Sequence, residues 1–390
     1  MRFLHVALQS HREALRLQQD NEDALFNMAQ VLTSLAEAIT ESKRPSEEQK
    51  FEALRYLREA LELFQRCLVL QELRYTESQE QTGMLEGDAG GRMEESETLS
   101  SQTLPKEEWA AVVEPVTKGT LVDTAVAQLE ALTALCVLLT IDPGSGLAWV
   151  EEYSSDLLRT KIAAYAEGTD RQHEVSLARA KFWSALTEVS YRTGRIDIET
   201  YKREISGAFG PNLDLANDPE GLCSKAEAFM SFNSAAGDVA SSRGSGESNG
   251  TSVLRWQALS SALDALSTAS KLAAAEKVSK IHLARGDVEM CRWRLGHPPW
   301  NHVVSQESSS TLLQNAQTYY RGAAVIARRN GAAEEERDGS CKEALAAALG
   351  GDWEKLKRMR TVAGNDVLVV AEDMVEEGLV SSFDIETLLS

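Results

Sequence analysis

The sequence is poor in aromatic residues, in proline and in clusters of β-branched residues. Aromatics make up 6% of its 390 residues, and only 8 prolines occur. Val367-Leu-Val-Val370 is the one clear run of strand-forming residues. Alanine and leucine dominate instead, a composition typical of helical proteins. The sequence therefore predicts an all-α fold.

The cysteines are few, odd in number and widely spaced: Cys67, Cys136, Cys223, Cys291 and Cys341. None belongs to a CxxC pair, which argues against a disulfide framework or a zinc site and favours a reducing compartment. The apolar run at the N-terminus is too short for a signal peptide, and we expect no membrane-spanning segment. These features predict a soluble protein of the cytoplasm.

Basic residues are in deficit, with 40 against 60 acidic ones, so the formal charge is −20. Such a chain is repelled by phosphate backbones and by anionic membranes, and we expect no direct binding of nucleic acid or membrane. The charge serves solubility, or it attracts a basic protein partner. A local basic run at Lys355-Leu-Lys-Arg-Met-Arg360 is a solvated helix face or, alternatively, a nuclear-import signal.

Catalytic motifs are missing from the sequence. It contains no HExxH, GxxxxGK[ST], GxSxG, or GxGxxG after a strand. His297-Pro-Pro-Trp-Asn-His302 brings two histidines together, but its two prolines prevent the helical spacing that aligns imidazoles on a metal. We interpret it as an ordinary loop. The sequence predicts no catalytic residue, no metal and no cofactor, and hence a protein that is not an enzyme.

Three amphipathic helices are predicted near the N-terminus, over Phe3 to Gln19, Glu22 to Glu41 and Gln49 to Tyr75. Asn21 is expected to cap the second one. Four predicted helices share the spacing small-x3-large-x2, followed by a small or aliphatic residue. They carry Ala7-x3-His11-x2-Ala14, Ala60-x3-Phe64-x2-Cys67, Ala131-x3-Leu135-x2-Leu138 and Ala316-x3-Tyr320-x2-Ala323.

This spacing resembles the second helix of a tetratricopeptide (TPR) repeat. Other elements of the family also have counterparts: a closing Asp142-Pro143 followed by Trp149, a first helix with its turn from Lys181 to Gly194, and Gly286-Asp287-Val288, which resembles the family's interhelical turn. The repeats are degenerate and insertions break their period. The resemblance implies a TPR-like α-solenoid of antiparallel helix pairs, and the alternative is an irregular helical bundle. Because the chain opens on what resembles a second helix, the array is capped unusually or the true N-terminus lies upstream.

Two segments interrupt the array. Residues 76–120 hold ten acidic and three basic residues, and residues 240–252 hold three glycines and five serines, so we expect disorder in the first and a flexible loop in the second. The predicted organisation is as follows: 1–75, N-terminal TPR-like helices; 76–120, acidic disordered insertion; 121–239, middle TPR-like helices; 240–252, Gly/Ser-rich loop; 253–349, C-terminal TPR-like helices; 350–390, C-terminal helical tail.

The resemblance also implies a concave surface, lined by first helices, that grips a peptide or helix of another protein. The positions that correspond to its lining are Asn27, Gln30, Ser34, Lys181, Glu188 and Lys280. Heat-shock co-chaperones of the family place a lysine four positions before the asparagine of their clamp. Here that position is Asp23, so a chaperone-tail clamp is not expected.

In layout the chain resembles TPR chaperones of basic clients, which shield histones or newly made ribosomal proteins with acidic residues. The leading hypothesis is therefore a non-enzymatic scaffold or adaptor, in its most specific form a dedicated chaperone for such a client that acts in ribosome biogenesis or histone delivery. A neutral replacement of the acidic insertion should then weaken client binding. The alternatives are a structural subunit of a stable complex and an enzyme with an unrecognised all-helical active site.

Overall fold

Helices account for the regular structure of this chain, and the described residues contain no β-strand. The computed structural model describes residues 2–40, 45–88, 115–140, 146–243, 248–275 and 278–389. The predicted all-α class is confirmed. Two units form, Met1–Phe182 and Trp183–Ser390.

The first unit is built from helices that pack against their neighbours in the chain. Helix α1 packs on α2, α2 on α3 and α3 on α4. A π-helical turn at Leu157–Lys161 joins α5 to α6. The helices are α1 (Arg2–Leu17), α2 (Glu22–Thr40), α3 (Glu47–Asp88), α4 (Lys118–Leu139), α5 (Gly146–Asp156) and α6 (Ile162–Ala166), and α7 (Gln172–Arg192) begins in this unit.

The start of α2 follows the prediction. The side chain of Asn21 accepts a hydrogen bond of 2.9 Å from the backbone N–H of Ala24, which satisfies one of the free donors at the helix N-terminus. Glu22 and Asp23 follow in the first turn, where the helix dipole favours negative charge.

The TPR-like spacing Ala60-x3-Phe64-x2-Cys67 lies where α2 and α3 cross. Ala60 and Cys67 are fully buried on α3, and Phe64 between them is 1% exposed. The ring of Phe64 packs edge-on against Phe26 of α2, with 5.7 Å between centroids. Because alanine and cysteine are small, the two helix backbones approach closely around the aromatic pair.

Helix α4 corrects one expectation. Its length and hydropathy are sufficient to cross a membrane, although the sequence analysis expected no such segment. Two thirds of its most apolar stretch is nevertheless buried within the protein, and the hydroxyl of Thr124 donates a 2.8 Å hydrogen bond to Gln71 of α3. These contacts are those of a core helix that is apolar because other helices surround it.

Both predicted interruptions are partly helical. Helix α3 continues to Asp88, into the segment expected to be disordered, and the predicted Gly/Ser-rich loop contributes the end of α9 and the start of α10. The end of the first segment also belongs to α4, which begins at Lys118. Residues 89–114 and 244–247 of the two segments lie outside the described residues, as does the closing Asp142-Pro143.

The second unit also follows chain order. Helix α8 packs on α9, α9 on α10, α10 on α11, α11 on α13, α13 on α14 and α14 on α15. Its helices are α8 (Ile198–Ala208), α9 (Pro219–Arg243), α10 (Ser248–Ala269), α11 (Ser279–Arg294), α12 (Val303–Glu307), α13 (Ser309–Asn330), α14 (Ala333–Leu349), α15 (Trp353–Glu376) and α16 (Ser382–Leu389). The strand-like run Val367–Val370 lies within α15.

Gly286 was assigned to an interhelical turn, and this was wrong. Helix α11 runs without a break from Ser279 to Arg294, so Gly286 lies in its interior. The glycine instead allows close packing, because a Cβ at this position would overlap the fully buried ring of Tyr320 on α13. Gly194, the other glycine in the TPR-like elements, does lie in a turn: it has a positive φ of 73° just after α7.

Candidate protein-binding groove

An open groove runs along the second unit between α8, α9 and α10. Two adjoining cavities of about 440 and 380 Å³ form it. They share four lining residues, Ser206, Leu222, Lys225 and Thr268. Both cavities are open to solvent, whereas proteins usually enclose a small-molecule ligand, so the groove suits a polypeptide segment better.

The loop between α8 and α9 supplies much of the groove floor. Phe209 ends α8 and is buried, as are Leu213 and Leu215 in the following turn. Gly221 allows the turn to close onto α9, because a Cβ there would overlap the side chains of Leu215 and Asp218. The sequence thus packs an aliphatic turn beneath the start of α9.

Carboxylate side chains cap the starts of both α8 and α9. Asp197 accepts a 2.7 Å hydrogen bond from the backbone N–H of Thr200 at the start of α8, and this bond lowers the pKa of its carboxyl. Asp218 accepts a 2.9 Å bond from the N–H of Gly221. Both caps are carboxylates at helix N-termini, which hold the helices in register around the groove.

The groove rim carries hydroxyl groups that are already satisfied. Ser206 donates to the carbonyl oxygen of Lys202 (2.8 Å), Ser261 to that of Gln257 (3.1 Å) and Thr268 to that of Asp264 (2.9 Å). A nucleophilic serine needs a neighbouring base instead. The described lining residues include no histidine and no cysteine. The three hydroxyl groups are thus engaged by the backbone of their own helices.

Charge of both signs borders the groove. Lys225 on α9 and Asp264 on α10 both line it. Just beyond, burial raises the pKa of the Cys223 thiol, and the carboxylates of Glu227, Asp218 and Glu220 raise it further. The start of α9 is therefore an acidic margin beside an apolar floor.

The six residues predicted to line a concave surface fall in different places, and none is among the described residues of the groove. Asn27 and Gln30 are exposed and Ser34 is half-buried, and their spacing puts them on one face of α2. Lys181 is half-buried on α7.

Glu188 and Lys280, both in the second unit, already have partners. Burial raises the pKa of Glu188, which pairs with Arg192 at 2.8 Å. Lys280 is 78% exposed and lies 4.0 Å from Glu335. The three α2 residues thus share one face, whereas Glu188 and Lys280 lie beside different charged residues.

The other perturbed acids of the described chain lie in ion pairs. Burial raises the pKa of Glu377, whose carboxylate lies 3.1 Å from the ammonium of Lys342. Asp287 lies 2.8 Å from the same ammonium and accepts a 2.8 Å hydrogen bond from Tyr320. Lys342 is 9% exposed along its side chain. This cluster links α11, α13, α14 and the end of α15, and the two carboxylates share one buried ammonium.

The His297–His302 loop holds packing residues. His302 is buried and stacks on Trp256 at 5.0 Å, while Trp300 lies 4.2 Å beneath the guanidinium of Arg255. In the part of the chain that the structure describes, no group of three or more His, Cys, Asp or Glu side chains could hold a metal ion.

Sequence reasoning did not identify the groove. Its one visible signal is Leu213-Asp-Leu215, an aliphatic pair within a turn between Pro211 and Pro219. Such a pair predicts local burial but gives no information on the wall that α10 contributes. Comparisons with protein-family models, with curated proteins and with solved structures find no match for this chain.

Proposed function

We propose that this protein is a non-enzymatic, protein-binding scaffold of degenerate TPR-like helix pairs. Consecutive helices pack together from α1 to α4, from α8 to α11 and from α13 to α15. Three helices with the TPR spacing, α3, α4 and α13, bury those positions. Ala131, Leu135 and Leu138 of α4 are at most 6% exposed, and Ala316, Tyr320 and Ala323 of α13 are fully buried. Packing of small against large residues at successive crossings is the arrangement that repeat arrays require.

The single observation that carries a binding function is the groove between α8, α9 and α10. Its floor is apolar, with Leu213, Leu222 and Phe229 buried beneath it. Its rim hydroxyls are satisfied by their own helices, and the carboxylates of Asp264 and of the start of α9 outnumber the ammonium of Lys225 around it. We infer that it holds an extended client segment whose aliphatic side chain contacts the floor and whose lysine or arginine faces Asp264.

A basic client also agrees with the charge of −20. Electrostatic attraction over the whole surface accelerates association with a lysine-rich protein such as a histone or a ribosomal protein, and short-range contacts in the groove then select it. This protein acts, in this proposal, as a chaperone that shields the client's basic residues in the cytoplasm.

Site-specific photo-crosslinking in cells tests the groove. Benzoylphenylalanine replaces Thr268 on the rim, or Thr318 on the exposed surface of α13 as the matched control. We expect the Thr268 position to capture basic proteins, identified by mass spectrometry, and the Thr318 position not to do so. Equal capture at both positions would contradict a specific groove.

A charge reversal tests the role of Asp264. Asp264→Lys should reduce capture at position 268 several-fold. An ion pair at an exposed carboxylate such as Asp264 contributes about 0.2–1 kcal/mol, and the new lysine also repels the client's basic residue. Glu307→Lys makes the same change of charge at an exposed position of α12 and should leave capture unchanged. A loss in both variants would indicate that overall charge alone recruits the client.

A further inference from the structure

Helix α1 exposes an apolar face. Phe3 is 89% exposed, Val6 61% and Leu17 81%. The opposite side of the helix packs on α2 and buries Leu8, which is 5% exposed. Because transfer of apolar surface out of water contributes about 25 cal/mol per Å², a partner that covers this face gains free energy.

The exposed residues of α1 form one stripe. Positions 3, 6, 10, 14 and 17 repeat at intervals of three and four, so Phe3, Val6, Ser10, Ala14 and Leu17 lie on the same side of the helix. All five are exposed. The two smallest side chains, Ser10 and Ala14, occupy its middle, where they allow a second helix to approach closely.

The stripe is symmetric about Ser10. Phe3 and Leu17 stand seven positions to either side of it, and Val6 and Ala14 stand four positions to either side. A two-fold axis perpendicular to the helix at Ser10 would therefore set Phe3 against Leu17 of a second copy and Val6 against its Ala14. Self-complementarity of one patch is the property that an isologous dimer requires.

We propose that a second copy of this chain docks on α1, with the two α1 helices antiparallel and crossing at Ser10. The charges of α1 are compatible with this packing. Arg16 pairs with Glu13 of its own helix at 3.1 Å, and Arg12 reaches Glu59 of α3 at 3.4 Å. The guanidinium groups of Arg12 and Arg16 are thus engaged within one copy.

Total charge sets the salt dependence of this dimer. Each copy carries −20, so the copies repel each other at low ionic strength and salt screens that repulsion. The apolar contact itself does not weaken with salt. Dimerisation should therefore strengthen as salt rises, whereas docking of an acidic partner on the arginines of α1 should weaken.

The contact is small. A 16-residue helix is about 24 Å long, and a pair of such helices falls in the class of interfaces below about 1,200 Å². We expect a reversible dimer with a dissociation constant of roughly 10–100 μM.

Sedimentation equilibrium of the full chain tests the proposal. The wild type should pass from monomer to dimer over this concentration range, and Phe3→Glu or Leu17→Glu should raise the dissociation constant at least tenfold. Val362→Glu changes an equally exposed side chain of α15, 84% exposed, and should leave the constant unchanged. A wild type that stays monomeric at all concentrations, or a dimer insensitive to Phe3→Glu, overturns the proposal.

Cysteine crosslinking tests the antiparallel geometry. In a Cys223→Ser background, which removes the half-buried native thiol, Ser10→Cys should form a disulfide-linked dimer, because its two copies meet at the axis. Val6→Cys should not link to itself across about 12 Å of helix, but it should link to Ala14→Cys in a mixture. Self-linking of Val6→Cys, or no link at Ser10→Cys, overturns this geometry.

Discussion

The ring of Tyr320 lies against Gly286, where the two helices α11 and α13 cross without room for another carbon. A Cβ built on Gly286 would lie 2.8 Å from Cζ of the ring and closer still to its edge. Tyr320 is fully buried and its hydroxyl donates to Asp287, the next residue of α11. The glycine and the tyrosine thus form one contact that sets the separation of the helices.

Gly286→Ala should destabilise the second unit. Alanine favours a helix over glycine by about 1 kcal/mol, but overpacking against a buried ring costs about 1–3 kcal/mol, so the net effect is a loss. Gly322→Ala on α13 is the matched control, since its Cβ would meet only His282 Nδ1 at 3.8 Å. Urea unfolding followed by circular dichroism should show a lower midpoint for Gly286→Ala and an equal or higher one for Gly322→Ala. The reverse order would contradict the packing.

Stability should fall at alkaline pH. Burial raises the pKa of Tyr320 well above its usual value, and the charge of Asp287 adds to this. Burial alone would lower the pKa of Lys342, but Asp287 and Glu377 outweigh it and raise that pKa. In the unfolded chain both groups lose their protons near pH 10, whereas in the folded protein they keep them to higher pH. Their contribution to the free energy of unfolding is therefore fully present below about pH 10 and is lost as the pH rises above it.

The measurement is the urea midpoint between pH 8 and pH 11. Each group contributes a slope of about −1.4 kcal/mol per pH unit above roughly pH 10. Tyr320→Phe removes one of the two and should give a shallower decline. Tyr319→Phe, a neighbour on α13 whose ring lies beneath Arg285, should keep the wild-type slope. A profile that is flat to pH 11 would rule out this contribution.

Arg255 and Asn233 should behave as a coupled pair. Burial lowers the pKa of Arg255 to about 10, and its Nε donates a 2.8 Å hydrogen bond to the buried amide oxygen of Asn233. Arg255→Met leaves that oxygen without its donor and should cost about 1–3 kcal/mol. Asn233→Leu, added to it, removes the unsatisfied group and should restore part of the loss. Additive losses in the double-mutant cycle would show that the bond contributes nothing.

The core of the first unit depends on Phe64. Phe64→Ala removes a ring that is 1% exposed and leaves a cavity beside Phe26, which should cost about 3–5 kcal/mol. Val69→Ala on the same helix, at a side chain 51% exposed, should change stability by about 0.5 kcal/mol or less. The melting temperature of each variant, followed by a spectroscopic signal from the first unit, measures both effects. Similar midpoints for the two variants would show that the α2–α3 crossing is not packed.

Local rules predicted much of the fold. The apolar stripe of α2 and the cap at Asn21 gave that helix its correct start, because both depend on residues within one turn. Gly286 was misread because its assignment rested on a short resemblance to the interhelical turn of the TPR family. In the structure this glycine leaves room for the ring of Tyr320, which is distant in the sequence. Hydropathy alone likewise does not distinguish a core helix such as α4, which is apolar because other helices surround it, from a helix that is apolar because it contacts lipid.

The groove depends on contacts that no local pattern encodes. Ser206 and Thr268 lie on α8 and α10, and they share a cavity because these helices pack against each other and against α9. The turn around Leu213 signals burial, but which helix covers it is decided by tertiary packing. A concave surface inferred from a repeat consensus cannot anticipate such an inserted turn.

The π-helical turn at Leu157–Lys161 resets the phase of a helical stretch. A π-turn contains one residue more than an α-turn, and one residue corresponds to about 100° of rotation. That rotation is what lets Ile162 enter the core and lets Tyr165 and Lys161 both reach Glu72 of α3. If the helix continued through this stretch with 3.6 residues per turn, its second half would face the wrong side. Deletion of one residue here would therefore disrupt its contacts with α3.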